Sequence, residues 1–318
     1  MAAYLQMGND TENLVGEAGL DKFQGIVLSP VNRKDVELKG DVLRYHVEDR
    51  YDVILDPQLY FPRSERGCLL SQPYFDADID TADLSSEAWW SARVAALAKF
   101  AKELGVDAVA SPVVQPKTWQ DDYFAQCAET SQKLSGELSN TEMRVLTTVM
   151  VNFNQMAEKD AALKIASIIS EAEPSGYYLV IVSEVEPRRE FSTNAELAGI
   201  MSLIGELAAT KRPVVVSHCS SDMLLFKAAG AAHCATGKFF NLRRYTKSRY
   251  DLSPGGGGQL PYWFEHNLLA FLRQEDVLLL KRRGYDNLIG GFASINFWSR
   301  SLLYKFGDPD TKNLLKYS

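Results

Sequence analysis

Little in this chain points to a secreted, membrane-embedded or metal-ribbon protein. Four cysteines, Cys68, Cys127, Cys219 and Cys234, are scattered through 318 residues with no CxxC among them. That spacing excludes a zinc ribbon and a dense disulfide framework, and it fits reduced thiols. Histidine is as scarce, at four residues, and neither HxH nor HExxH occurs, so no local metal-binding motif is present. No run of about 18 apolar residues occurs, and Met1 to Asn13 lacks the basic-then-apolar order of a leader. The expectation is a cytoplasmic protein with no membrane span.

Positive charge is also in short supply. Lys and Arg number 34 against 41 Asp and Glu, for a net charge of −7. A phosphate backbone would repel such a surface unless the basic residues were gathered locally, so nucleic acid is a disfavoured partner. Phosphate-loop signatures are missing as well. Met7-Gly8-Asn9-Asp10 follows the first apolar run where a dinucleotide fold would carry GxGxxG, and Thr236-Gly237-Lys238 lacks the first glycine and the trailing Ser or Thr of a Walker A loop.

What is present is an ordinary globular composition, 46% hydrophobic and 24% charged, arranged as a recurring unit. Short apolar runs end in polar or proline residues and alternate with helix-like stretches. The runs are Ala3 to Met7, Gly25 to Ser29, Asp52 to Leu55, Ala108 to Ser111, Val145 to Val151, Tyr178 to Ser183, Pro213 to Ser217 and Ala231 to Ala235. Continuous apolar runs of this kind are parallel strands buried on both faces. The clearest helices are Ser86 to Leu104, Asn154 to Ala172, Thr193 to Ala209 and Asp222 to Ala229. Thr193 with Glu196 has capping-box spacing, and Gly105 stands where a left-handed C-cap belongs. Eight strands favour closure over an open sheet, so the expected fold is an α/β (β/α)8 TIM-type barrel over residues 1–250. A glycine-rich loop, Gly255 to Gly258, then leads to a helical extension within 251–318, expected to be helical from Tyr262 to Arg283 and to pack on the barrel.

In such a barrel, function gathers where the strands end, because the βα loops converge there. This selects Asn9 and Asp10, Asn32 and Arg33, Asp56, Gln58 and Tyr60, Gln115 and Lys117, Asn152 and Asn154, Glu184 and Glu186, His218 and Ser220, and Thr236 and Lys238. Glu184 and Glu186 lie two apart and share a face on an extended segment, where like charges raise one pKa; with Asp56 they are candidate proton-transfer groups. The alternative for Glu186 is a solvated ion pair with Arg188 or Arg189. Asp56 precedes Pro57, which holds its backbone extended. His218 at a strand end is the candidate acid–base histidine, while His233 inside the last run is expected to face the core or the barrel interior.

The segment Ser217-His218-Cys219-Ser220-Ser221-Asp222 places Ser220 and Ser221 at a helix start beside the loops where barrels commonly bind phosphate. Thr236, Lys238, Arg243 and Arg244 open the densest basic run, which continues through Lys247 and Arg249 and is interleaved with Phe239, Phe240, Tyr245 and Tyr250. The anion-contact candidates are therefore Asn9, Asn152, Ser220, Ser221, Thr236, Lys238, Arg243 and Arg244. The alternative is that these arginines are solvated or pair with acidic residues of the extension. A divalent ion held by Asp56, Glu184 and His218 is conceivable chemistry without a motif behind it, and no cofactor is identified. Cys219 and Cys234 read more simply as small buried hydrophobes than as nucleophiles.

The alternation of strand ends resembles the barrel of tRNA-guanine transglycosylases. The CxCxxC…H zinc signature of that family and its strand-end aspartate are absent, so no residue role is carried over. The leading expectation is an enzyme, a hydrolase or transferase acting on an anionic, phosphate- or nucleotide-containing small molecule. The alternatives are a non-catalytic subunit using the aromatic extension (Trp263, Phe264, Phe271, Phe292, Phe297, Trp298) to meet a protein partner, and a nucleic-acid-modifying barrel.

Overall fold

The computed structural model describes residues 2–8, 11, 15, 23–46, 51–76, 78–183, 193–238, 240–252, 263–265 and 270–285. The apolar runs become β1 (Ala2–Gln6), β2 (Gly25–Leu28), β3 (Asp52–Leu55), β4 (Ala108–Ala110), β5 (Arg144–Asn152), β6 (Gly176–Val182), β7 (Val214–Val216) and β8 (His233–Thr236). All neighbouring pairs are parallel, and β8 returns to β1 through Ala2↔His233 and Leu5↔Thr236, which closes the barrel. Every residue of β2 and β6 is buried, because interior side chains cover one face and helices the other.

The helices of the barrel are α1 (Asp35–Arg44), α2 (Glu87–Leu104), α3 (Asp121–Glu137), α4 (Phe153–Met156), α5 (Ala161–Ser170), α6 (Asn194–Ala209) and α7 (Met223–Ala228). Local chemistry sets several of their ends. Thr193 and Glu196 form the reciprocal capping box at the start of α6. Gly105 ends α2 with φ +72°, a left-handed turn that glycine enters without a Cβ penalty. The helix expected from Asn154 to Ala172 is broken into α4 and α5, with Asp160 between them at φ +63°. Helices α1 and α3 lie outside the four stretches that the sequence marks most clearly as helical.

The chain divides into two compact units, residues 1–252 and 253–318. In the second, the expectation of a helix from Tyr262 to Arg283 is corrected. Trp263–Glu265 (β9) and Ala270–Leu272 (β10) pair antiparallel, and only Gln274–Arg282 (α8) is helical. Aromatic and branched residues on both sides of His266-Asn267 favour the pleated backbone over a helix. Gly255 to Gly258, Phe292, Phe297 and Trp298 lie outside the described residues.

Contacts between strands that are not neighbours show which side chains enter the barrel. Tyr4 of β1 donates its hydroxyl to Asp52 of β3, and Arg144 of β5 pairs with the same carboxylate. The His233 ring sits 4.8 Å from Tyr4, as expected of an interior histidine. These four residues form a polar plug at the amino ends of the strands. Side chains two and four residues farther along β1 and β3 face the same interior, nearer the carboxyl ends: Gln6 on β1, and Ile54 and then Asp56 on β3.

Candidate active site

Asp56 follows the last residue of β3 and is wholly buried. Its Oδ1 accepts from the Gln58 amide (3.0 Å) and the Tyr60 hydroxyl (2.9 Å), and its Oδ2 accepts from the Tyr178 hydroxyl (3.1 Å), reaching across from β6. The aspartate therefore both caps its own turn and reaches into the barrel. A carboxylate offers about four lone-pair sites, so among the described residues one site, on Oδ2, is not taken. Burial pushes the Asp56 carboxyl up to about 6, and the three donors and the Arg249 charge hold it back from rising farther. A carboxyl so poised is matched to giving and taking a proton near neutrality.

Two strand-end residues adopt left-handed backbone that few side chains other than Asn and Asp enter cheaply. They are Gln58 at φ +54° and His218 at φ +53°. Such positions cost on the order of 1–3 kcal/mol and persist where the surroundings hold them. Each aims a polar head into the mouth. Gln58 Oε1 accepts from Ser29 Oγ (3.2 Å) and the Val31 amide (3.1 Å), while its Nε2 is buried without a partner among the described residues.

His218 follows β7 by two residues. Its Nδ1 lies 3.1 Å from Ser217 Oγ, and Ser217 donates its own proton to the Leu179 carbonyl at 3.0 Å. With the single Ser217 proton directed to the Leu179 carbonyl, which can only accept, the ring donates through Nδ1 and Nε2 presents a bare lone pair. That Nε2 is buried with no partner among the described residues. Burial first, and then Arg249, drive the imidazole down to about 3, so the ring is neutral.

The segment after β8 roofs this centre. Tyr245 stands edge-on to His218 (5.7 Å) and to Tyr60 (5.3 Å), and it donates to Gln115 Oε1 at 3.2 Å. Tyr250 packs on Tyr60 (5.7 Å) and is tied back where Ser64 Oγ donates to its carbonyl at 2.6 Å. Arg249, in the one-turn 3-10 helix Lys247–Arg249, is buried and donates to Ser29 Oγ at 2.7 Å, a neutral partner, and its Nε has no hydrogen-bond partner among the described residues. Tyr250 also lines a cleft of about 600 Å³ together with Phe61, Ser64, Lys117, Asp251 and Leu252.

The structure thus brings Asp56 and His218 together with Gln58, Tyr60, Tyr178, Tyr245 and Arg249. Of the other candidates, Gln115 accepts from Tyr245 and Asn32 donates to Ser29 at the edge of this network. Asn152 caps α4 by accepting from the Asn154 amide at 2.8 Å. The Ser220 amide donates to Asp222 Oδ1 at 2.7 Å, so a carboxylate already occupies that end of α7. Ser221 lies one residue on, partly exposed. Thr236 ends β8 half-buried, Lys238 is exposed, Arg243 donates through Nε to the Gly237 carbonyl at 2.7 Å, and Arg244 is buried. Asn9, Glu184 and Glu186 lie outside the described residues, and with Glu184 goes the three-residue metal set of Asp56, Glu184 and His218. No group of three His, Cys, Asp or Glu side chains able to hold a metal ion occurs among the described residues. Cys219 is buried beside Cys234, and burial pushes its thiol well up, which suits a small hydrophobe.

Residues that sequence reasoning did not name as site residues are Gln6, Ser29, Tyr178, Ser217, Tyr245 and Arg249. A signal existed for one of them: Gln6 is a polar residue inside the apolar run Ala-Tyr-Leu-Gln-Met. Arg249 reads in the sequence only as a later member of the basic run, either anion-binding or solvated.

No protein-family model matches the chain, and no curated protein matches it in sequence. Among solved structures, the chain is similar to 2,3-dimethylmalate lyase, a PEP mutase/isocitrate lyase superfamily member, at 9% identity and TM-score 0.44, covering 99% of this chain and 93% of that one. It is also similar to type I 3-dehydroquinate dehydratase from Clostridium difficile, at 10% identity and TM-score 0.46, covering 74% and 84%. A third is 3-hexulose-6-phosphate synthase, at 13% identity and TM-score 0.40, covering 74% and 90%. At such identities and scores these likenesses add nothing to the closed ladder by which the barrel is established.

Proposed function

We propose that this chain is an enzyme, a hydrolase or transferase, that binds a small anionic molecule at the carboxyl end of the barrel and moves protons through Asp56 and His218. The observation that carries this reading is a buried carboxyl near neutrality beside a buried arginine and a neutral histidine with an unengaged Nε2, all at strand ends. Arg249 offers the counter-charge for a carboxylate or phosphate group, with Thr236, Lys238, Arg243 and Arg244 of the same segment as further anion contacts. Bound negative charge offsets the Arg249 field at His218 and raises the affinity of Nε2 for a proton. His218 then takes a proton from an attacking hydroxyl or water, while protonated Asp56 gives its own to the departing group. Glu184 and Glu186 remain candidates for the same work, and Asn9, Asn152, Ser220 and Ser221 for binding.

Tyr250 borders both the buried centre and the 600 Å³ cleft, which makes it the wall a ligand would displace. A small-molecule ligand is favoured over nucleic acid because Arg244, Tyr245, Arg249 and Tyr250 are buried, so these two tyrosines offer bases no exposed stacking face.

The test is thermal unfolding of the wild type, Arg249→Gln and Lys238→Ala against inorganic phosphate, sugar phosphates and small carboxylates. An anion that binds the native state stabilises it by mass action, by about 2.7 kcal/mol at a hundredfold excess over Kd, and so raises Tm. The expected result is a Tm rise for at least one anion that disappears in Arg249→Gln and shrinks in Lys238→Ala. An equal rise in Arg249→Gln, or none in the wild type, removes the reading.

A further inference from the structure

The unengaged polar atoms of the buried centre are a pattern as well as a number. His218 Nε2 is an acceptor, by the proton placement that Ser217 imposes. Gln58 Nε2 is a donor, because its Oε1 is already taken by Ser29 and the Val31 amide. Gln6 contributes both kinds: it is 0% exposed, and neither its Oε1 nor its Nε2 has a partner among the described residues. Its direction follows from β1, since Tyr4 reaches Asp52 across the interior and Gln6, two residues on, faces the same way. A buried amide without partners is destabilising, a penalty an apolar side chain of similar size would avoid.

Resting on the proposed anion site, we infer that the substrate is a hydroxyl-bearing oxyanion, a hydroxy acid or the phosphate ester of a polyol, and that Gln6 reads its hydroxyl pattern. A plain carboxylate or phosphate answers Arg249 and Gln58 Nε2, which are donors. It brings no proton for His218 Nε2 or Gln6 Oε1. A hydroxyl beside the anionic group does both, donating to one of these acceptors and accepting from the Gln6 amide. Sites built around such groups reject the analogue lacking the hydroxyl, because their own polar atoms are then left buried and unpaired.

The experiment is calorimetric titration of the wild type and of Gln6→Met with matched pairs: glycolate and acetate, lactate and propionate, malate and succinate, glycerol 3-phosphate and propyl phosphate. Tm of the two unliganded proteins is measured alongside. Methionine keeps the length of glutamine and removes both polar atoms. The expected result is that in at least one pair the hydroxylated member binds the wild type at least about tenfold more tightly. Gln6→Met is expected to abolish that preference while matching or exceeding the wild-type Tm. Anions that bind with no hydroxyl preference overturn this inference and leave the anion site standing. Failure of every anion overturns both. A Gln6→Met protein that melts several degrees lower shows a structural amide and removes Gln6 from the site, as does a crystal structure in which ordered water alone satisfies Gln6 in the ligand complex.

Discussion

Asp56 and His218 are both driven by burial toward their neutral forms, and their effects on stability run in opposite senses. The carboxyl, raised from 3.8 to about 6, holds its proton more tightly when folded. Its contribution to stability is present below about 4 and is lost as pH rises through about 6. The imidazole, lowered from 6.5 to about 3, contributes above its unfolded value, and that contribution is lost as pH falls from about 6.5 toward about 3. Between pH 4 and 6 the two slopes oppose each other in the wild type. Denaturant unfolding at pH 4, 5 and 6 is expected to separate them. Relative to wild type, His218→Asn loses stability as pH rises, by up to about 1.4 kcal/mol per pH unit, and Asp56→Asn gains it. Asparagine is chosen at 218 because it tolerates the left-handed backbone there. Parallel pH curves for all three proteins would contradict a buried, oppositely shifted pair.

At the scale of elements, close helix packing makes a sharp contrast between two glycines. A Cβ on Gly199 in α6 would strike the Met156 carbonyl at the end of α4, whereas a Cβ on Gly136 in α3 would meet nothing within 4 Å. Gly199→Ala is expected to force the two helices apart at a cost of about 1–3 kcal/mol. Gly136→Ala is expected to stabilise by roughly 0.5–1 kcal/mol, through lost unfolded-state freedom and better helix propensity. Thermal melts of the two variants should move in opposite directions. The same packing explains which elements were legible in advance. Helices α2 and α6 carry strong caps and apolar stripes. Helix α3 opens after Gln120 with no side-chain cap, so the capping signal that marks α2 and α6 is missing there. The break between α4 and α5 depends on one left-handed aspartate that no periodicity reveals.

For the whole molecule, closure of β8 onto β1 lies entirely within residues 1–252, as do Asp56, His218, Arg249 and Gln6. A chain ending at Leu252 is therefore expected to fold cooperatively and to keep the anion-dependent Tm rise of the full protein. Circular dichroism and a denaturant melt of that truncation check the expectation, and a broad, non-cooperative transition would show that residues 253–318 are needed to complete the core. No helix among the described residues is long and apolar enough to cross a membrane.

What the amino-acid order determined unaided was the alternation of buried strands and capped helices. Burial on both faces leaves an apolar run in the chain itself, and caps act over three or four residues. It also placed Asp56 and His218 at strand ends. Only the closed barrel decided that these two share a centre with Tyr178 and Arg249, because that proximity joins residues up to 220 positions apart through strand register and loop packing. The same closure turned Arg249 from one cation in a surface-like run into a buried charge, and Ser217 fixed which nitrogen of His218 stays open. Sequence spacing carries no record of either, since burial and proton placement are properties of the neighbours that folding supplies.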